Sequence, residues 1–524
     1  MLHVSSLSYR SADNRKAVRG DHLPDSYNLV CSAHITKLNH DAMKHHHPRL
    51  RLSIACLLVA VSTLVVCGGA SKPNVILIYT DDHAQWAVGS YGNKDVHTPH
   101  MDRLAIDGMR FTRGFTKAVC SPSRAMVLTG LYSHRVGIPD FIPHGNPVVS
   151  GNGLPPGTPT IATVLKKAGY RTGLIGKWHL GYGEKYYPQK FGFDVAEGFR
   201  YIAPGTVNEN VGKIPFLVDG RDVPRFRYDK QHTDILADRA IDFIEQPGDQ
   251  PFFLYLSIYL PHLPWEAVPD EDRAYYKGKK LNVPDLGEFP KATMGENELR
   301  ELMRSYYANI TCADRNIGRV LAALDSLDLA KDTLVFFIGD NGFNVGQHGL
   351  LGKGNALTLG TNDRKPNMFD ESVRVPFIVR WPGVIEAGSI SDAMVSTIDV
   401  LPTLIEITGA ETRLQLDGKS MLPILKSQRG TPWRDAWFDT YDMTYLKKDH
   451  MRMIRTDDWK LVFHFDAAGK PLPHRGHELF NLSADPGELN NLYGNDDLAS
   501  VRQSLEARLC KWIVEYDVQE SENR

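Results

Sequence analysis

Four apolar runs in this sequence end in side chains that bind ions or carry protons. NVILIYT (74–80) is followed by Asp81, Asp82 and His83, and TLVFFIG (333–339) by Asp340, Asn341 and Gly342. RTGLIG (171–176) leads into Lys177, Trp178 and His179, and PFFLYLSIYL (251–260) into Pro261 and His262. The tips of the first two offer three carboxylates and an amide oxygen. Such hard donors suit Ca2+ or Mg2+, and Ca2+ accepts amide ligands and irregular geometry. Three converging carboxylates with no cation would repel one another. Either pair alone also reads as a helix cap or a turn. Their joint place at two apolar tips favours a metal site of Asp81, Asp82, Asp340 and Asn341.

The remaining tips carry nitrogen. Lys177, His179 and His262, with Lys353 in LLGKGN, suit an anion rich in oxygen, such as phosphate or sulfate. A further stretch, AVCSPSRAMVLTG (118–130), places a thiol before a short helix. Ser121 is a good N-cap, Pro122 suits the first turn and Gly130 stops the helix. Cys120 then lies at the positive end, where free N–H groups favour an anion, and Arg124 follows one turn later. A reactive thiol would also be activated there, but no soft-metal or thiol-protease pattern accompanies it.

These residues need elements to hold them. Unbroken apolar runs imply strands covered on both faces, as in a parallel sheet between helix layers. Helical spacing appears at TIATVLKKAGY, TDILADRAIDFIEQ (233–246) and RSYYANITCADRNIGRVLAALDSL (304–327). The expected fold is α/β, a large, mostly parallel sheet sandwiched by helices over residues 71–425. The tail, 426–524, reads as a smaller C-terminal antiparallel sheet subdomain packed by one helix. Residues 140–158, rich in Gly and Pro, read as a surface loop. A formal net charge of -2 leaves no electrostatic footprint for nucleic acid.

The N-terminal part reads as processing signal. A basic stretch at 43–51 precedes the apolar LSIACLLVAVSTLVV (52–66), the pattern of a secretory signal peptide starting at Met43 and cleaved near Ala70. Residues 1–42 are then an upstream extension with no part in the fold. No stable transmembrane anchor is expected, although 64–67 faintly resembles a lipoprotein box at Cys67. The expected location is exported: periplasmic, secreted or lumenal. Removal of 1–70 leaves Cys120, Cys312 and Cys510, an odd set that is no disulfide framework.

With these residues in hand, the sequence resembles the type I, formylglycine-dependent sulfatases of the alkaline-phosphatase-like superfamily. CSPSRAMVLTG is similar to that family's signature around the modified cysteine, and GKWHLG (176–181) to its second signature. The DD after the first run, PH at 261–262, DNG at 340–342 and GKG at 352–354 follow in family order. FDESVRVPFIVRWPG (369–383), STIDVLPTL (396–404) and ELFNLSADPGELNNL (478–492) are similar to further landmarks. The resemblance runs from about Lys72 to the C-terminal helix.

The resemblance implies a sulfuric ester hydrolase. Cys120 would be oxidised to Cα-formylglycine by a formylglycine-generating maturation enzyme. One hydroxyl of its hydrate would attack sulfur, and the second would expel sulfate, which a serine could not do. One Ca2+ would be held by Asp81, Asp82, Cys120, Asp340 and Asn341. Arg124 would orient the formylglycine, Lys177 and Lys353 would bind sulfate oxygens, His179 would serve the release step, and His262 would protonate the leaving oxygen. A loop before FDES departs from the family pattern, so Lys365 is a second candidate for the role given to Lys353. His348 is close enough in sequence to join the site. The substrate would be a sulfated small molecule or oligosaccharide, chosen by loops 140–158, 200–230 and 343–367. Hydrolysis of phosphate or phosphonate esters on the same fold, and carbohydrate binding without catalysis, are the competing readings.

Overall fold

The run Asn74–Thr80 becomes β1, the strand around which the largest sheet is built. A computed structural model describes residues 72–143, 153–199, 231–246, 248–265, 268–428, 430–466, 468–470, 472 and 476–516, and the backbone of 216–218 and 221–223. The expected signal segment, Cys67 and most of the 200–230 loop lie outside the described residues.

The sheet has ten strands. In chain order they begin with β1, β2 (Met109–Phe115), β3 (Arg171–Gly176), β4 (Val195–Phe199), β5 (Phe216–Val218), β6 (Arg221–Val223), β7 (Phe252–Ile258) and β8 (Thr333–Gly339). A three-stranded sheet follows, made of β9 (Asn344–Val345), β10 (Leu350–Gly352) and β11 (Leu357–Thr358). The chain then returns with β12 (Phe377–Arg380) and β13 (Ser389–Ser396), giving the order β13-β2-β12-β8-β1-β7-β3-β4-β5-β6.

The expected mixture of parallel strands and flanking helices is what forms. β1 pairs in parallel with β7 and β8, and β3 continues the parallel run to β4. β12 is antiparallel to both β2 and β8, a return strand that the apolar runs do not announce. Every residue of β7 and β8 is buried, as strands between two helix layers must be. Alternate side chains of β1 serve opposite cores: Ile76 and Ile78 one, Val75, Leu77 and Tyr79 the other. Helices Pro99–Ile106, His232–Glu245 and Glu296–Ser326 cover the first face; Cys120–Thr129, Ile161–Lys167 and Val400–Thr408 cover the second.

Two helix limits differ from the sequence reading. The long helix starts at Glu296 rather than Arg304; Glu296 and Glu298 suit its positive first turn, and Leu299 and Met303 anchor it in the core. The other is the helix of Cys120, described below. The surface-loop reading of 140–158 also needs correction, because Asp140, Ile142 and Leu154 are buried; residues 144–152 lie outside the described ones. Asn309, in a glycosylation motif, is buried and donates to the carbonyls of Trp265 and Ser305.

The tail forms an antiparallel sheet, β14 (Ala436–Met443), β15 (Asp449–Thr456), β16 (Trp459–Phe465) and β17 (Glu478–Asn481), packed by helix Ala499–Tyr516. Its core is continuous with Phe115, Val119 and Met126 of the larger part. Among the described residues, no helix is long and apolar enough to cross a membrane.

Candidate active site

Register brings the chemistry together. Thr80 of β1 is level with Gly339 of β8 and Ile258 of β7, and Gly176 of β3 is level with Ser257. The four tips therefore end side by side at the carboxyl edge of the sheet, where open α/β sheets place their ligands. Gly176 has φ 117°, and a Cβ there would stand 2.0 Å from the Ser257 carbonyl oxygen, so this close approach requires glycine.

Asp81, Asp82, Asp340 and Asn341 are all buried. Asp82 adopts a left-handed backbone, φ 62°, and its N–H donates to Asp340 Oδ1 at 3.0 Å. Asn341 Nδ2 donates to Asp82 Oδ1 at 2.8 Å and to Gly342 O at 2.8 Å. That orientation leaves Asn341 Oδ1 without a hydrogen-bond partner, as is Asp81 Oδ1. Two buried acceptors without donors call for a positive ligand. Burial, with repulsion from Asp81, pushes the Asp340 carboxyl up to about 7. Burial also opposes ionisation of Asp81, but Lys177, then His262, Arg124 and Lys353, hold it well below the usual carboxylate range. Ligand atoms of Asp81, Cys120 and Asp340 lie within 4.8 Å of one another. Hard oxygens, two of them orphaned, and mutually repelling acids fit a divalent cation such as Ca2+.

Cys120 is the first residue of the helix Cys120–Thr129, with Val119 as its N-cap. Ser121 is therefore not the cap; its Oγ accepts from the N–H of Ile142 at 3.1 Å. Gly130 ends the helix in a left-handed conformation, as expected. Arg124 reaches back to the acids, with Nε and Nη2 on Asp340 Oδ2 at 3.0 and 2.8 Å. Its Nη1 donates to Lys177 O at 3.1 Å and Ser257 Oγ at 2.5 Å. Burial opposes the Arg124 charge, and Asp340 more than restores it.

The nitrogen donors surround the thiol. His179, at φ 57°, sets Nδ1 3.2 Å from Cys120 Sγ and Nε2 3.0 Å from the Ile142 carbonyl. A carbonyl only accepts, so Nε2 carries the hydrogen and Nδ1 faces position 120 as an acceptor. Burial and Lys177 hold this imidazole neutral, well below its ordinary pKa. His262 Nδ1 lies 2.6 Å from the Leu263 carbonyl, which leaves Nε2 to face Asp82 Oδ2 at 3.7 Å. Lys177 Nζ contacts Asp81. Lys353, directly after β10, contacts Asp82 and lies 3.7 Å from Cys120 Sγ. Burial opposes the Lys353 charge, but Asp82 and its acidic neighbours hold it firmly cationic.

Residues 73–410 match the family model described as Sulfatase. The chain belongs to the sulfatase family. Residues 360–515 match a second model, described as N-sulphoglucosamine sulphohydrolase, C-terminal. This sulfatase is 28% identical to the N-acetylglucosamine-6-O-sulfatase of Bacteroides thetaiotaomicron, over 88% of this chain and 90% of that one. It is 28% identical to the ulvan-active sulfatase of Formosa agariphila, over 85% of this chain and 82% of that one. Among solved structures it resembles Ps i-CgsB in complex with k-i-k-neocarrahexaose, with TM-score 0.68 and 26% identity over 84% of this chain and 92% of that one.

The geometry of this sulfatase separates two lysines that its sequence left open. Lys353 stands in the acid cluster, whereas Lys365 Nζ sits over the Phe369 ring at 5.0 Å. His348 is buried rather than solvated. It stacks on Phe369 at 3.7 Å and holds Glu371 through Nε2 at 3.0 Å. Other contributors were invisible in the sequence. Asn367 donates to Lys353 O at 3.0 Å and accepts from Ser372 Oγ at 2.7 Å. Asn344 in turn donates to Ser372 Oγ at 3.0 Å. This buried knot fixes the Lys353 loop against the strand tip of Asn341, and no local motif marks it. Cys312 and Cys510 are buried.

Proposed function

We propose that this sulfatase removes sulfate from carbohydrate sulfate esters after export, with Cys120 matured to Cα-formylglycine and one Ca2+ held by Asp81, Asp82, Asp340, Asn341 and the matured residue. The carrying observation is the Cys120 side chain, set between His179 Nδ1 and Lys353 Nζ and beside Asp81 and Asp340. Its Sγ stands in for an oxygen on Cβ of the matured residue. The relatives named for N-acetylglucosamine 6-O-sulfate and ulvan support a sugar sulfate as substrate.

The aldehyde hydrate supplies a nucleophilic oxygen and a second hydroxyl for sulfate release, and the cation supplies charge neutralisation beside it. The chain's own residues do the rest. Lys177 and Lys353 neutralise oxygens of the ester sulfate. His262, as an imidazolium balanced by Asp82, passes its Nε2 proton to the departing sugar oxygen and keeps its Nδ1 hydrogen on the Leu263 carbonyl. His179 Nδ1 takes the proton from the hydroxyl at position 120. Arg124 locks Asp340 and the helix start in place. A formylglycine-generating enzyme and an export route are the implied partners.

The test is expression in a host that matures such cysteines. Peptide mass spectrometry should show the thiol-to-aldehyde change at Cys120, and 4-nitrophenyl sulfate should be cleaved in preference to 4-nitrophenyl phosphate. An unmodified thiol, or a large preference for phosphate, would overturn the reading.

A further inference from the structure

A continuous arc of side chains joins Lys353 to His179 around one side of the site. It starts at Asn355, two residues beyond Lys353, whose carbonyl accepts from Arg364 Nη1 at 2.8 Å. The N–H of Gly354 donates to Ala118 O at 2.9 Å, which pins this loop two residues before Cys120. Tyr441 fills the space between, close enough to Gly354 that a Cβ there would stand 2.9 Å from its ring. It lies within electrostatic reach of both Cys120 and Arg364.

The arc continues into the turn after β14. Lys447 Nζ donates to Arg364 O at 3.0 Å, and the N–H of Thr444 donates to Asp140 Oδ2 at 2.8 Å. Between them Tyr445, 39% exposed, meets Phe141 edge-on at 5.8 Å. Phe141 is the neighbour of Ile142, whose carbonyl holds His179. The arc therefore closes on the second residue beside Cys120.

The chemistry of the arc is unequal to its structural needs. Arg364 spends one hydrogen on Asn355 and pairs with no carboxylate among the described residues. Lys447 has its counter-charge in Asp363, at 3.9 Å. A half-buried guanidinium without a carboxylate is poised for a planar, bidentate oxyanion. Two residues before Lys447, which holds the Arg364 carbonyl, the Tyr445–Phe141 ring pair presents an apolar face of the kind that covers a sugar ring.

We propose that Arg364, with Phe141 and Tyr445, forms a subsite that reads a second anionic group on the substrate, a sulfate or carboxylate of the same or the adjoining sugar. The proposal rests on the carbohydrate sulfatase reading above and names the substrate class as multiply anionic glycans.

Calorimetry on the Cys120→Ala protein tests it apart from turnover. Three disaccharides serve as probes, bearing one sulfate, two sulfates, or one sulfate and a uronate. The expected result is at least tenfold tighter binding of one or both doubly anionic probes, and the arm that gains tells sulfate from carboxylate. Adding Arg364→Ala should remove that preference, Arg364→Lys should keep part of it, and Tyr445→Ala should weaken all three probes. In the matured enzyme, Arg364→Ala should lower the ratio of kcat/KM on the preferred probe to that on 4-nitrophenyl sulfate at least tenfold, through KM. No preference for a second anion, or a preference unchanged by Arg364→Ala, would overturn the subsite. Preferential binding by a protein whose matured form cleaves no sulfate ester would leave the subsite standing and sink the reaction instead.

Discussion

His179 and Cys120 face each other across 3.2 Å from Nδ1 to Sγ, with the far nitrogen of the ring tied to the Ile142 carbonyl. The tie fixes the tautomer, so the nitrogen beside position 120 is the one able to take a proton. Replacing His179 with Asn should lower kcat about 100-fold with little change in KM. Steady-state assays on 4-nitrophenyl sulfate check this; a change confined to KM would contradict the role.

Lys353, not Lys365, holds the acid cluster. Lys353→Ala should lower kcat/KM about 100-fold, the cost of losing one charged donor at a reacting oxyanion. Lys365→Ala should leave kcat/KM nearly unchanged. Equal losses in the two variants would argue that the loop as a whole, rather than one ammonium group, matters.

The orphaned oxygens of Asp81 and Asn341 would give the proposed cation a stabilising role. Calcium at a hundred times its Kd should stabilise the fold by about 2.7 kcal/mol. Thermal melts with calcium and with EDTA measure it, and activity should vanish and return with the ion. Asp340→Asn should abolish the calcium-dependent shift in Tm; a shift that survives would place the ion elsewhere.

Two buried imidazoles contribute stability that is lost in mild acid. Burial holds the imidazoles of His83 and His232 down to about 4, from 6.5. Between those values these two rings bind more protons in the unfolded chain than in the folded one, so their contribution to stability rises with pH across the window. Complete titration of one such group is worth about 3 kcal/mol. Urea midpoints measured from pH 4 to 6.5 should rise less steeply, or fall more steeply, with pH in His232→Gln than in the parent protein. A pH dependence unchanged by the substitution would show that this ring is hydrated.

The tip residues were legible because their signals are local. An apolar run such as Thr333–Gly339 declares both a buried strand and the residues it delivers. The edge of the sheet was not legible. β13 alternates between half-buried and exposed residues over its first half, and β12 is only four residues long. The antiparallel insertion of β12 between β2 and β8 is a matter of distant pairing. The Asn367–Ser372–Asn344 knot was hidden for the same reason, since neutral amides and hydroxyls acquire meaning only from their partners. The Ile142 carbonyl belongs to the backbone, which no residue type advertises. His348 shows the opposite failure: a histidine beside a reactive loop whose ring stacks on Phe369 and holds Glu371.

The burial of the helix Cys120–Thr129, every residue of it covered, imposes an order of events. Cys120 is 2% exposed, which leaves a second protein no access to its sulfur once the chain has folded. On the proposed maturation, oxidation of that sulfur would have to come while the polypeptide is still open. Material that folded first would then be barred from acquiring the proposed nucleophile.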